Sequence, residues 1–368
     1  MRWLPQSITD TTMTTIGLWS AWCIAAAVAA ALLTRQLIVW TTARGILDTP
    51  NDRSSHTRST PRGGGLAIVA VVAAAAVVLI GVRSESLLRV AGAVVPALAV
   101  AAISWLDDVH SVRNRTRLAV QLSAAVIATA LLGPVASVDL GAWGVLSFGP
   151  AAWPLTLLWI VGLTNAFNFM DGIDGIAGIT AAAAGAGIAA AAAALGVGPA
   201  AVIAAALAGG AVGFLGSNWQ PARIFMGDVG SAFCGFLLAV LPLSLPADCG
   251  PVVLPVAAMA LWPFIFDTSF TLLRRLRRGE NIFQAHRSHL YQRLVIAGWS
   301  HRTVACLYGG MAACGAAVAL AGIFDPAVRG SVEPVALAMA VVGALLLVGT
   351  VMLAERCSDP AALRVHQP

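Results

Sequence analysis

Carboxylate and amide side chains recur at short spacings in a sequence that is otherwise strongly apolar. Asp107 and Asp108 follow directly on an apolar run. Because adjacent carboxylates repel each other, one of the pair can hold a proton or act as a base. Four oxygen-bearing side chains are spaced by three residues, which predicts a band along one side of a helix: Asn165, Asn168, Asp171 and Asp174. Such oxygens suit a hard cation such as Mg²⁺, so the sequence predicts acid–base chemistry beside a divalent ion.

Both groups also have a structural interpretation. The aspartate pair is equally consistent with a solvated helix end whose charge is balanced by Arg113 or Arg115. Close helix packing accounts for Gly172, Gly175 and Gly178 in the second group, but it does not account for the carboxylates between them. The sequence favours function for the second group and leaves both interpretations open for the aspartate pair.

A further aspartate, Asp228, stands where a glycine-containing turn leads into another apolar run. Asn218 and Phe225 precede it, and Gly230 and Ser231 follow it. The backbone amides at a helix start bind phosphate oxygens, whereas an aspartate repels phosphate unless a metal ion bridges the two. This segment again implies a divalent cation.

Histidine and arginine side chains supply the opposite charge. His286, His289 and Arg293 are spaced by three and four residues, which predicts one shared helical face, and Arg287 lies beside them. The spacing of the two histidines also occurs in zinc sites. However, no third metal ligand follows except the distant Glu280, so we favour cationic partners for a phosphate or diphosphate.

The first polar segment of the chain is rich in basic residues. His56 and Arg62 stand ahead of three consecutive glycines, Gly63 to Gly65, that lead into an apolar run. Alone, the segment would be interpreted as a flexible basic loop. Together with the other polar segments it predicts one wall of a site for an anionic substrate.

The composition places all of these groups in a membrane protein. Of the 368 residues, 59% are hydrophobic and only 11% are charged, whereas soluble proteins carry about 25% charged residues. So little charge cannot cover a water-facing surface, which excludes a soluble enzyme. The six cysteines lack CxxC spacing and predict neither a zinc site nor a disulfide framework.

Apolar runs predict an all-α integral membrane protein with about 10–11 transmembrane helices. The runs are 16–40, 64–82, 88–106, 117–133, 151–167, 176–195, 199–216, 231–247, 251–273, 303–323 and 335–353. Segment 134–150 alternates apolar side chains with glycines and predicts a small periplasmic β-hairpin. No soluble domain is long enough to fold alone, so residues 1–368 are expected to form a single transmembrane catalytic domain.

The arginines orient these helices. With the N-terminus outside, most arginines fall in loops predicted to be cytoplasmic, in agreement with the positive-inside rule. In that orientation every polar segment described above lies on the cytoplasmic side. Because ionisable residues at membrane depth are costly and usually functional, we expect the active site at the cytoplasmic face of a bacterial inner membrane.

Taken together, the polar segments resemble the polyprenyl-phosphate N-acetylhexosamine-1-phosphate transferases, the WecA- and MraY-like group of glycosyltransferase family 4. The resemblance covers about residues 44–295 and leaves 303–353 as extra C-terminal spans. The matching motifs are the aspartate pair, the NxxNxxDGIDGLA element at 165–177, the element ending in FMGDxGS at 213–231, and the histidine loop at 286–293. Segment 53–65 resembles the WbpL-type branch that initiates O-antigen-type glycans.

The resemblance implies an activity. The protein would transfer a HexNAc-1-phosphate, with GlcNAc or a 6-deoxy-HexNAc as the sugar, from a UDP-sugar to undecaprenyl phosphate. UMP would be released and a lipid-linked glycan such as O-antigen would be initiated. Mg²⁺ is the implied cofactor, with Mn²⁺ as the alternative. The implied partners are the two substrates, the lipid bilayer and a second copy of the chain, and no nucleic acid.

The resemblance also implies a role for each polar residue. The catalytic groups would be Asp107, Asp108, His286 and His289. The metal ligands would be Asp228 and Asn168. The nucleotide site would be lined by Asp174, Asn218 and Phe225. The phosphate-binding residues would be Arg293 and Arg287. Further candidates are Asp171, His56 and Arg62.

Two other functions share some of these features. A polytopic transporter also combines many spans with buried carboxylates, but its polar residues should run through the bilayer, and we find no convincing internal repeat. A CDP-alcohol phosphotransferase also joins a lipid through phosphate and Mg²⁺. Its signature requires a DGxxAR element followed by GxxxDxxxD, and neither follows Asp171.

Overall fold

Twelve α-helices follow one another in the computed structural model, which describes residues 10–50, 58–82, 87–281, 286–325 and 327–357. The helices are α1 (Asp10–Ala43), α2 (Leu66–Val82), α3 (Leu87–His110), α4 (Asn114–Leu132), α5 (Ala152–Met170), α6 (Ile176–Ala194), α7 (Gly198–Asn218), α8 (Asp228–Val240), α9 (Gly250–Arg277), α10 (Leu290–Ile296), α11 (His301–Phe324) and α12 (Arg329–Cys357). All except the short α10 coincide with the predicted apolar runs.

The predicted all-α membrane architecture is confirmed. Within the described residues, nine helices are long and apolar enough to cross a membrane. Of the remaining three, α2 and α8 are shorter apolar helices, and α8 continues through a 3₁₀ turn to Ser244. At 17 residues, α2 lies at the lower end of the length that spans a bilayer, about 17–25 residues.

Alternating helix directions bring the polar segments to one end of the bundle. Asp107 and Asp108 lie in the last turn of α3, and Asp228 begins α8. Hydrogen bonds join the α3 end to the α8 start, the α5–α6 connection to the α7 end, and the α5 end to α10. The expectation that these segments share one side of the protein is therefore confirmed.

A β-hairpin joins α4 to α5 at the opposite end of the bundle. Strand β3 (Ser137–Asp139) pairs antiparallel with β4 (Val145–Ser147), with Val138 opposite Leu146. Trp143, Val145 and Leu146 are each more than half exposed, as suits apolar side chains at a membrane surface. The predicted hairpin is confirmed, and its periplasmic location remains a prediction.

A second strand pair was not predicted. Strand β1 (Leu47–Asp48) pairs with β2 (Thr60–Pro61), with Leu47 opposite Pro61. Two-residue strands are too short to produce a periodic pattern in the sequence. The pair ties the end of α1 to the glycine turn that precedes α2.

The backbones of α1 and α7 approach each other closely through two glycines. A Cβ atom added at Gly209 would lie 2.2 Å from the carbonyl oxygen of Cys23, and one added at Gly213 would lie 2.1 Å from that of Ala27. Small residues four positions apart are a common device for close packing of membrane helices. The sequence predicted tight packing in this region, and the glycines show where it occurs.

Replacing one of these glycines should separate the two helices. We expect Gly213→Ala to lower the stability of the detergent-solubilised protein by about 1–3 kcal/mol, because the new methyl group meets backbone that cannot rotate away. Thermal unfolding measures the effect. Gly216→Ala in the same helix is the matched control, since no atom lies within 4 Å of its added Cβ. An equal effect of the two substitutions would contradict the proposed packing.

Candidate active site

Arg117 lies among the carboxylates at the polar end of the bundle. Its guanidinium group pairs with Asp107 and, at 2.7 Å, with Oδ2 of Asp228. A tight turn brings it there: Ser111 adopts a φ of 54°, and the first turn of α4 folds back beside the last turn of α3. One arginine therefore balances carboxylates from two helices that are distant in sequence. The alternative partners predicted for the aspartate pair, Arg113 and Arg115, are both exposed.

Asn168, near the end of α5, belongs to the same group. Its amide nitrogen donates to Oγ of Ser231 at 2.5 Å and lies 3.3 Å from Oδ1 of Asp228, and its amide oxygen accepts from Arg117 at 3.0 Å. The Ser231 hydroxyl in turn donates to the carbonyl oxygen of Gly227. The two predicted metal ligands, Asn168 and Asp228, are thus adjacent. Asn165 instead donates to Gln121 on α4 and ties two helices together.

Asp108 caps the start of α8. Its two carboxylate oxygens accept hydrogen bonds from the backbone amides of Asp228 (3.1 Å) and Val229 (3.0 Å). Its side chain is only 1% exposed. Gly227 permits this approach, because a Cβ atom there would lie 2.7 Å from Oδ2 of Asp108. Backbone amides hold both oxygens of Asp108, whereas one oxygen of Asp107 pairs with the Arg117 side chain, which a substrate can displace. Asp107 is therefore the better candidate for a catalytic group.

Asp171 and Asp174 follow α5 rather than belonging to it. The helix ends at Met170 and α6 begins at Ile176, so the expectation of one helical face is wrong for these two residues. Asp171 keeps some contact with solvent. Burial, followed by the carboxylates of Asp228, Asp108 and Asp174, nevertheless raises the pKa of Asp171 to about 8. The carboxyl group of Asp171 is therefore largely protonated at pH 7, beside carboxylates that disfavour a further negative charge.

The predicted nucleotide wall is held together by its own polar groups. Oδ1 of Asn218 accepts from the amide of Gly175, and its amide nitrogen donates to the carbonyl oxygen of Ile224, both at 2.9 Å. Oδ2 of Asp174 accepts from the amide of Ala222 at 3.1 Å. Asn218 and Asp174 are buried, so these two residues fix the backbone around Phe225. The Phe225 ring itself is half-buried.

The basic segment that precedes α2 contacts the backbone of Phe225. The amide of Phe225 donates to the carbonyl oxygen of Pro61, and the amide of Gly64 donates to that of Phe225. This pairing brings Arg62 to Asp108: Nε of Arg62 lies 3.7 Å from Oδ1, and its terminal nitrogen donates to the Asp108 carbonyl oxygen at 3.3 Å. The segment therefore lies against the carboxylates, and its role as a wall for an anionic substrate stays a prediction. His56 lies outside the described residues.

The two histidines precede α10 instead of sharing a face of it. His289 is the residue before the helix, and the rings of His286 and His289 are centred 5.0 Å apart. The expectation of a common helical face is wrong because the described residues 286–289 are not helical and α10 begins only at Leu290. Burial and the neighbours His289, Arg275 and Arg274 lower the pKa of His286 to about 4. Its imidazole is therefore neutral at pH 7.

Arg293 points toward the C-terminal helix. Its guanidinium group makes two 2.6 Å hydrogen bonds with the carboxylate of Glu355 in α12. This bidentate pair fastens α10 to a span that lies beyond the family-like segment 44–295. Arg287 is half-buried beside the histidines. Of the two predicted phosphate-binding arginines, Arg293 is thus engaged within the protein.

Two residues of this region were not singled out from the sequence. Arg117 was counted only as one of the cytoplasmic arginines, although the short connection between two apolar runs placed it near the aspartate pair. Asp267 was overlooked inside the ninth run, where a lone carboxylate at membrane depth is itself a functional signal. It is fully buried and accepts hydrogen bonds from the histidine loop.

The donor atoms near Arg117 fit a magnesium ion. Among the described residues, no three His, Cys, Asp or Glu side chains are arranged to hold a metal ion by themselves. Mg²⁺ does not require such a cage, because it binds through one or two carboxylates together with waters and substrate phosphates. Asp228 and Asn168 offer hard oxygen atoms in a negatively charged setting, and the Asp228 side chain is 29% exposed.

This geometry defines the class of protein. It is a helical membrane bundle with an acidic site at one end, where an arginine pairs with carboxylates from two helices. Comparison with known sequences gives its family. The model of glycosyl transferase family 4 matches residues 90–245. The chain belongs to this family, as the recognition from motifs predicted.

Several relatives share most of their length with this chain. A probable undecaprenyl-phosphate N-acetylglucosaminyl 1-phosphate transferase of Bacillus subtilis is 34% identical over 70% of this chain and 72% of its own. A decaprenyl-phosphate N-acetylglucosaminephosphotransferase of Mycolicibacterium smegmatis is 34% identical over 82% of each chain. A phospho-N-acetylmuramoyl-pentapeptide-transferase of Heliobacterium modesticaldum is 33% identical over 67% of this chain and 78% of its own.

The capping role of Asp108 can be separated from catalysis. Asp108→Asn replaces one accepting oxygen with an amide group that cannot accept from a backbone N–H, so we expect a loss of about 1–3 kcal/mol of stability. Thermal unfolding of the purified protein measures it. Asp107→Asn is the comparison, because Asp107 accepts from one backbone amide, that of Val112, and otherwise pairs with the partly exposed Arg117 side chain. If Asp107→Asn destabilises the protein as much as Asp108→Asn, the assignment of the cap is wrong.

Proposed function

We propose that this protein transfers an N-acetylhexosamine-1-phosphate from a UDP-sugar to undecaprenyl phosphate and releases UMP. The observation that carries the proposal is the meeting of Asp107, Asn168 and Asp228 around Arg117 at one end of the helices. The names of the relatives support a polyprenyl phosphate as acceptor and an amino-sugar phosphate as the transferred group.

The reaction joins two anionic substrates. An oxygen of the lipid phosphate attacks the β-phosphorus of the UDP-sugar, a new P–O bond forms, and the bond to the bridging oxygen of UMP breaks. Phosphoryl transfer of this kind depends on positioning and on charge neutralisation. Arg117 and Arg62 are cations at the site that can pair with phosphate once the substrates enter.

Asp107 is our candidate for orienting or deprotonating the attacking phosphate. Its side chain is 15% exposed, whereas that of Asp108 is 1% exposed and occupied by two backbone amides. Arg117 holds the Asp107 carboxylate beside Asp228. In this arrangement Asp108 contributes by keeping the start of α8 against the end of α3.

Asp228 and Asn168 would hold Mg²⁺. The neighbouring Asp171 is largely protonated at pH 7 and would gain negative charge once a divalent ion lowered its pKa. A bound Mg²⁺ supplies Lewis-acid polarisation of the diphosphate oxygens. Arg117 now occupies one oxygen of Asp228, and the other oxygen lies beside Asn168. Mn²⁺, which also prefers oxygen ligands, is the alternative ion.

The uridine would lie against the wall formed by Asp174, Asn218 and Phe225. Because Asn218 and Asp174 are buried and hydrogen-bonded to backbone, they would act mainly by fixing the position of Phe225 and the surrounding amides. The half-buried ring of Phe225 is the surface for stacking the base. His286, neutral at pH 7, would donate or accept a hydrogen bond at the diphosphate rather than carry charge.

The site would face the cytoplasm. The distribution of arginines supports this orientation, and nucleotide sugars are cytoplasmic substrates of such a reaction. In a bacterial inner membrane the product, undecaprenyl-diphospho-HexNAc, would begin a lipid-linked glycan of the O-antigen type. Among the candidate sugars we favour GlcNAc over its 6-deoxy relatives, because two of the compared proteins are named for it.

The activity is tested in membranes containing the protein. We expect UMP release from UDP-GlcNAc only when undecaprenyl phosphate and Mg²⁺ are both present. Asp228→Asn should lower the rate by at least about 100-fold, because a charged ligand at the diphosphate is lost. Arg277→Ala is the control, since Arg277 is exposed in the last turn of α9 and away from the carboxylates. Near-normal turnover by Asp228→Asn would remove the metal assignment.

A panel of donors and acceptors extends the same assay. UDP-GlcNAc, UDP-FucNAc and UDP-QuiNAc would be compared, each with undecaprenyl and decaprenyl phosphate. We expect the highest kcat/KM with UDP-GlcNAc and undecaprenyl phosphate. A preference for a 6-deoxy sugar would change the proposed product without changing the reaction.

Removal of divalent ions provides a separate test. EDTA should stop UMP release, and added MgCl₂ should restore it. Mg²⁺ with a UDP-sugar should also raise the unfolding temperature of the wild-type protein, because a ligand that binds only the folded state stabilises it. Asn168→Ala should require more Mg²⁺ for half-maximal stabilisation. Turnover that continues unchanged in EDTA would refute the magnesium proposal.

A further inference from the structure

Asp267 is a fully buried carboxylate on α9 that is surrounded by hydrogen-bond donors. Oδ1 accepts from the backbone amide of Leu290 at 2.8 Å. Oδ2 accepts from the amide of Tyr291 at 3.1 Å and from the hydroxyl of Tyr308 at 2.7 Å. The carboxylate therefore joins α9 and α11 to the start of α10, directly after the histidine loop.

These donors determine which ring nitrogen of His289 carries hydrogen. Backbone amides can only donate, so both oxygens of Asp267 are acceptors and the ionised carboxylate satisfies them. Nδ1 of His289 lies 3.3 Å from Oδ1 of Asp267. Because the ionised carboxylate has no proton to give, a hydrogen bond in this contact requires a hydrogen on Nδ1. Nε2 is then the ring nitrogen that remains for another partner.

Further contacts place His289 at the end of α5, the helix that carries Asn168. Its ring stacks next to Phe169, with the two centroids 6.4 Å apart, and Phe169 directly follows Asn168. The hydroxyl of Tyr291 donates to the carbonyl oxygen of Phe169 at 3.1 Å. Only a glycine at position 172 leaves room for this hydroxyl, since a Cβ atom there would lie 2.1 Å from it. The histidine loop is thus fastened to the end of α5.

We propose that Asp267 is a positioning residue that fixes His289 in the Nδ1–H tautomer and presents Nε2 to the phosphates of the substrates. This inference rests on the proposed function. Asp267 itself is buried and does not reach a substrate. A carboxylate that orients a histidine in this way also sets which nitrogen is available for chemistry. The role differs from a purely structural cap of α10, which would leave the histidine tautomer without consequence.

The kinetic test compares two substitutions around the same carboxylate. Asp267→Asn should lower kcat by about 10- to 100-fold, and it should raise KM for the UDP-sugar by a smaller factor. The reason is that misplacing a reacting group costs more in the transition state than in binding. Tyr308→Phe removes another donor to Asp267 but leaves the His289 contact in place, and its kcat should stay within about threefold of wild type.

A spectroscopic test reports the tautomer directly. The full-length protein would be labelled with ¹⁵N-histidine, and the His289 signals would be assigned by their loss in His289→Gln. The neutral side chain of free histidine prefers the Nε2–H form, so an Nδ1–H signal requires a partner such as Asp267. We expect Nδ1–H in the wild type and a weaker Nδ1–H signal in Asp267→Asn. A wild-type His289 in the Nε2–H form would overturn the proposal.

A double variant separates positioning from folding. If Asp267 acts through His289, Asp267→Asn combined with His289→Gln should have the same kcat as His289→Gln alone, because the two effects are not additive. Additive losses, or equal losses in Asp267→Asn and Tyr308→Phe, would assign Asp267 a structural role. If Asp267→Asn does not fold, the wild-type spectrum still decides the tautomer. If the wild type lacks transferase activity, the proposed function fails while the spectrum still tests the Asp267–His289 contact.

Discussion

The charge balance among four aspartates at one end of the helical bundle is the constraint on which the rest of the site depends. Asp107, Asp108, Asp171 and Asp228 come from distant parts of the chain and meet where solvent screening is weak. Like charges that close cannot remain together without compensation. Arg117 provides part of it, because its planar group bonds to two carboxylates at once. The charge that remains makes the site attractive to a divalent ion and to cationic partners.

The hydrogen-bond partners of each aspartate distinguish the residues that hold helices in place from those that can react. Asp108 accepts from two backbone amides at the start of α8 and is buried. Asp267 accepts from two amides at the start of α10 and is also buried. Both carboxylates therefore hold helix starts in place. Asp228 is paired with one arginine and is partly exposed, which leaves it able to exchange that partner for a ligand.

Much of the architecture could be predicted from the sequence because it follows from local patterns. The apolar runs correspond to the observed spans, since a helix must satisfy its backbone hydrogen bonds within the bilayer. The hairpin between α4 and α5 was predicted from alternating apolar residues and glycines. The helical faces proposed for Asp171, Asp174 and the two histidines were wrong, because side-chain spacing alone does not reveal where a helix ends.

The sequence by itself determined the membrane class, the spans, the family and the collection of polar segments at one end of the protein. Each of these depends on composition, on periodicity or on short motifs read along the chain. Only the tertiary structure decided which polar groups pair. Arg117 bridges Asp107 and Asp228, Glu355 engages Arg293, and Asp267 holds the histidine loop. Such pairings depend on how distant helices pack, because a charge in a weakly screened setting is stabilised by whichever partner the fold brings within hydrogen-bond distance.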